Sequence, residues 1–155
     1  MNYEELVNKG LLKKEEIGFD KVQKLIENAY KKLKSSRLLI ENEDSDNSFQ
    51  LAYDAMLLSG RALIFSHNLR PRAAGSHKIV VQFVGDILGN DYKSLVGRFD
   101  KTREDRNYLI YGVGLTISMT EAQKAIDLAE TFIKTIEGFI EAKNPQIKLL
   151  KNDHE

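Results

Sequence analysis

The chain has 155 residues, enough for one domain with a real core. Lys and Arg together number 23, as do Asp and Glu, so no global charge steers the protein toward nucleic acid or acidic membranes. Cysteine is absent, which excludes disulfides, thiol nucleophiles and Cys-ligated metals. No apolar run reaches membrane-spanning length and the charged N-terminus has no signal-peptide apolar stretch, so the expected location is the cytoplasm. Two prolines and no Trp, with abundant Leu, Ile, Lys and Glu, suit an all-α domain.

Met1 to Gly18 reads as a short N-terminal arm in which Tyr3, Leu6 and Val7 can dock. Asp20 is a good N-cap for the first long helix, expected at about 20–43. Val22, Leu25, Ile26, Ala29, Leu33, Ser36 and Ile40 follow one amphipathic stripe, with a lysine row on the solvated face. A polar turn from Glu41 to Ser48 precedes a second helix at about 48–67, whose buried stripe is Leu51, Ala55, Leu58, Ala62 and Phe65. Asp54 lies at the edge of that stripe, with Arg61 near it. Small residues at Ala52, Ala55, Ser59, Gly60 and Ala62 let another helix approach closely. His67 ends this helix, where the dipole favours imidazolium.

From Ala55 through Gly85 there is no Asp or Glu, while Arg61, His67, Arg70, Arg72, His77 and Lys78 fall in the same interval. The loop Asn68 to Ser76 is either a solubilising segment or a phosphate-facing one, since exposed Arg clamps phosphate bidentately. Ser76 caps a helix at about 77–88. The run Ile79-Val80-Val81 would also suit a strand, but a lone strand has no partner here. His77 sits in the first turn of that helix, where a neutral imidazole is favoured. Asp91 caps a fourth helix at about 92–111, and Thr120 with Gln123 forms a capping box for the last, at about 120–143. The tail from Asn144 to Glu155 is expected to be loosely ordered.

The helix at 92–111 carries the chemistry. At about 100° per residue, Leu95, Phe99, Thr102, Arg106 and Leu109 share one side. Arg106 thus stands in an apolar stripe, and a guanidinium cannot shed its charge. It needs an anion such as phosphate, a carboxylate such as Asp54, or an exit along its own stem to water. Arg103, Asn107 and Tyr111, four residues apart, project from a neighbouring face. No paired-histidine metal motif, glycine-rich phosphate loop or Ser-His-Asp arrangement is present, so neither metal nor cofactor is expected.

Three segments resemble a known family: Ala52-Tyr53-Asp54-Ala55-Met56-Leu57-Leu58-Ser59-Gly60-Arg61-Ala62-Leu63, the loop Leu69-Arg70-Pro71-Arg72, and Arg106-Asn107 followed by Tyr111-Gly112. The chain resembles the HEPN domain over roughly Phe19 to Lys143, the first two segments being similar to small stand-alone archaeal and bacterial members. The resemblance implies an antiparallel up-and-down bundle of four to five helices over 19–143, with an arm at 1–18 and a tail at 144–155. It implies a homodimer with a cleft between protomers lined by Arg106, Asn107 and Tyr111 at the catalytic position. Arg103, Arg70, Arg72, His77 and Lys78 would contact a nucleotide or RNA phosphate, and Asp54 is the candidate for a buried ion pair. The family's catalytic motif runs from Arg and an adjacent polar residue to a His, and its nucleases are metal-independent. Here four residues separate Arg106 from Tyr111, which stands where that His would be. A phenol with an ordinary pKa of about 10 is a poor base at neutral pH. The resemblance therefore implies a degenerate, toxin-like RNase, or alternatively a catalytically silent module that partners an MNT-type nucleotidyltransferase.

Overall fold

The computed structural model describes residues 2–73, 76–110 and 116–145. They form α1 (Tyr3–Asn8), β1 (Leu12–Lys14), α2 (Phe19–Glu41), α3 (Ser45–Ser66), β2 (Leu69–Pro71), α4 (His77–Leu88), α5 (Lys93–Ile110) and α6 (Met119–Lys143), with a three-residue 3-10 turn at Asn90–Tyr92 before α5. The result is the expected all-α bundle with its short arm.

Helix α3 is the centre. It packs against α2, α4, α5 and α6 and against β2. Ala52, Tyr53, Ala55, Met56, Ala62, Leu63 and Ile64 are all buried, so nearly every side of the helix faces protein. That explains why a single stripe describes it poorly: Leu51, Leu58 and Phe65 are only half-buried, whereas Tyr53 is sealed. The three-residue connection Asn42–Asp44 turns α2 back on α3 as an antiparallel pair. Gly60 admits α4, because a Cβ there would stand 2.5 Å from Val80 Cγ1 and 3.3 Å from Val84 Cγ2. Phe99 of α5 and Phe132 of α6, 4.6 Å apart between ring centroids, close the core on the other side.

A small antiparallel ribbon departs from the purely helical expectation. Lys13 pairs with Arg70, flanked by Leu12 with Pro71 and Lys14 with Leu69. Backbone bonds from Glu15 to Asn68 and from Arg72 to Leu11, both 3.0 Å, extend it. Asn68 holds the turn out of α3 at φ 55°, a left-handed conformation that asparagine tolerates. Leu6 and Leu12 are buried, so the arm is stapled onto the bundle. The run Ile79-Val80-Val81 is helical.

The helix starts differ in detail. Gly18, not Asp20, is the N-cap of α2, and Asp20 lies in the first turn beside the positive end of the dipole. The capping box of α6 is Ser118 with Glu121, two residues earlier than Thr120 with Gln123. Asp91 lies in the 3-10 turn that precedes α5. His67 is the C-cap of α3, but burial and the nearby Lys143 push its pKa down to about 4, so it is neutral.

Candidate functional site

The stripe of α5 packs as its spacing requires. Phe99 and Thr102 are buried, and Leu95 and Leu109 lie against the core. Arg106 continues that line, and its side chain keeps 22% of its exposure. Its guanidinium lies over the Tyr53 ring, 5.6 Å from Cζ to the centroid. Its nearest carboxylate is Asp54, with Nη2 to Oδ1 at 4.0 Å, a single long contact beyond hydrogen-bond reach. Arg106 Nε is buried and has no acceptor among the described residues.

Tyr53 is the floor of the site. It is fully buried and stacks on Phe99, with centroids 5.9 Å apart and planes 27° from parallel. Its hydroxyl meets His77 Nδ1 at 2.9 Å, which ties α3 to the first turn of α4. Burial raises the phenol's pKa, and the fields of Arg106, Arg103 and Arg61 only partly oppose it, so Tyr53 stays protonated. Burial likewise raises Asp54 against the opposing pull of Arg106, Lys32 and Arg61. His77 is pushed down to about 4 by burial and by Arg106, Arg61 and Arg103.

A second carboxylate organises the rim. Asp100 accepts a 2.8 Å bond from Arg103 Nε and lies 3.8 Å from Lys78 Nζ, joining α5 to α4. Arg61 has no ion pair among the described residues, although its field reaches Tyr53, Asp54 and His77. The neighbourhood therefore holds Lys32, Arg61, Lys78, Arg103 and Arg106 against Asp54, Asp100 and Glu104, which lies 3.9 Å from Arg103.

The HEPN domain family model matches residues 22–139. The chain belongs to the HEPN family. A comparison with curated proteins finds no match. In this HEPN chain, α3, α4 and α5 bring together Arg106, Arg103, His77, Lys78 and Asp54. They do not bring in Arg70, which pairs with Glu15 at 3.4 Å beside the ribbon. Arg72 is exposed, with no side-chain partner among the described residues. Asn107 is half-buried next to Arg106, and Tyr111 lies outside the described residues.

Two members of the cluster escaped the sequence reading of the site. Tyr53 looks like one more core aromatic, since nothing local tells that its hydroxyl meets a ring 24 positions on. Arg61 carried a faint signal, two helical turns from Asp54 on the same face of α3.

Proposed function

We propose that this HEPN protein is a homodimer whose Arg106 cleft holds a nucleotide or an RNA phosphate, as a degenerate, metal-independent RNase. The observation that carries this reading is the state of Arg106. Its half-buried guanidinium lies over Tyr53 with one long contact to Asp54, and its Nε has no acceptor among the described residues. A strong structural pair frequently closes a bidentate fork on its carboxylate, and this one does not. The surplus of Lys32, Arg61, Lys78 and Arg103 over Asp100 and Glu104 adds an attractive field for an anion. A phosphate would take two parallel N–H bonds from the fork, with Asn107 beside it.

The dimer draws on the end of the same helix. Ile110 is 42% exposed and stands about 40° round α5 from Arg106. A two-fold axis here would cover that apolar side chain and set two Arg106 clefts face to face.

Titration of wild type, Arg106→Ala and Arg106→Lys with nucleotides and RNA oligomers tests the site, and light scattering at micromolar concentration tests the dimer. Binding should vanish in the alanine variant and weaken in the lysine variant, which keeps charge but loses the planar fork. Undiminished binding by Arg106→Ala removes the site, and a monomer removes the shared cleft.

A further inference from the structure

The Tyr53–His77 bond fixes which nitrogen of the imidazole carries the proton. The Tyr53 hydroxyl has one proton to donate, and its one acceptor among the described residues is His77 Nδ1 at 2.9 Å. A buried hydroxyl without an acceptor is strongly disfavoured, so Tyr53 donates and the neutral ring carries its proton on Nε2. That nitrogen has no hydrogen-bond partner among the described residues.

His77 is surrounded by charge from three helices. Tyr53 and Arg61 act on it from α3 and Arg103 and Arg106 from α5, while Lys78 adjoins it on α4; of the nearby carboxylates, Asp54 faces Arg106, Asp100 pairs with Arg103 and Lys78, and Glu104 lies beside Arg103. Lys32 of α2 acts on Asp54. The three arginines repel a proton on His77, and burial adds to that repulsion. An anion seated at Arg106 would oppose that repulsion and favour the imidazolium.

We propose that binding of a phosphate or phosphodiester at Arg106 is coupled to protonation of His77, with Tyr53 as the positioning residue. This rests on the anion site proposed above and adds its regulation by pH. In the empty site Tyr53 donates to Nδ1. When the anion arrives, Nε2–H bonds to an anion oxygen, a solvent proton adds to Nδ1, and the Tyr53 oxygen accepts from Nδ1–H; its own proton then loses that acceptor, a cost that the anion's attraction for the imidazolium has to exceed. The stoichiometry is one proton per site. Affinity therefore rises as pH falls, by up to about tenfold per pH unit between the pKa of the bound and of the empty site. It levels off below about pH 4, where the empty site is protonated as well.

The test is calorimetric titration at pH 6 in buffers of different ionisation enthalpy, with sodium sulfate and with a deoxydinucleotide phosphodiester. Neither probe titrates near that pH, so any proton taken up belongs to the protein. The two arms separate a free oxyanion from a nucleic-acid phosphate. Wild type should take up as much as one proton per anion bound. His77→Gln, which keeps an N–H donor but cannot titrate, should bind about tenfold more weakly than wild type at this pH and take up none. Tyr53→Phe should keep the uptake at a shifted pH. Nitrogen NMR of anion-free protein should show a non-protonated Nδ1 on His77, identified by its loss in His77→Gln. Binding abolished by Arg106→Ala but without proton uptake in wild type would overturn the coupling and leave the anion site standing. So would equal uptake by His77→Gln, or a proton on Nδ1 in the empty site. Failure of wild type to bind either probe would remove both readings.

Discussion

Replacing Arg106 by alanine separates a binding role from a stabilising one, because the two predict losses of different size. At 4.0 Å, a gross attraction to Asp54 of about 4 kcal/mol follows from an effective dielectric of about 20. Little of it is net. The two side chains keep 22% and 27% of their exposure, and burial already raises the Asp54 pKa against the pull of Arg106. Without Arg106, the carboxyl can gain water or a proton instead of standing as a stranded charge. Loss of the guanidinium over Tyr53 adds about 0.5–2 kcal/mol. The variant should therefore lose about 1–2 kcal/mol, read as a fall in Tm of about 2–8 °C for a domain of this size. Fully buried pairs, by contrast, cost about 3–5 kcal/mol when broken. Anion binding should fall at least ~100-fold, since two charge-assisted hydrogen bonds of about 1.5–3 kcal/mol each are removed. Urea melts and oligonucleotide titrations of the same preparations measure both. A stability loss above about 3 kcal/mol with unchanged affinity would refute the reasoning and make Arg106 a structural ion-pair member.

Tyr111→His restores the family's motif residue and should give RNase activity that Arg106→Ala then removes; a silent variant would favour the MNT-type nucleotidyltransferase partner instead. Both His67 and His77 are held near pKa 4 against an ordinary 6.5, so the native state resists their protonation while the unfolded chain accepts it. Their contribution is whole above about pH 6.5 and is lost as pH falls toward 4; urea melts across that window should show the decline, and the double variant His67→Gln with His77→Gln should flatten it. Gly60→Ala places a Cβ 2.5 Å from Val80 Cγ1, so it should destabilise by about 1–3 kcal/mol despite the ~1 kcal/mol gain in helix propensity. A net gain in the urea midpoint would mean that α4 yields easily at that crossing.

Most of the helical frame was legible because its faces are one-sided. The stripes of α2, α4 and α6 show a clean period, and the absence of a strand partner for Ile79-Val80-Val81 argued correctly for α4. Helix α3 was harder, since burial on nearly every side erases the contrast that periodicity needs. The ribbon was hidden for the opposite reason. Three-residue strands holding Lys13, Lys14, Arg70 and Pro71 have no alternation to read, and their pairing is set by where α3 ends. At the site, the place of Arg106 within the apolar stripe was visible from spacing. Asp54, His77, Lys78 and Arg103 were named too, but Tyr53 was not, because it and His77 meet only after α3 and α4 cross at Gly60. The loop arginines shared a charge-poor interval with His77, yet Arg70 turned to Glu15 once the ribbon formed.

The double duty of Tyr53 limits how this protein can diverge. One face of its ring seals the core against Phe99, while its hydroxyl and the arginine above it belong to the cleft. A substitution there cannot retune the site without also loosening the bundle, and a repacked core would carry the cleft along with it. Drift is freer at Arg61, Lys78 and Arg103, which ring the cleft without filling the core. Lineages that change ligand should therefore show exchange among these rim cations around an unchanged aromatic floor.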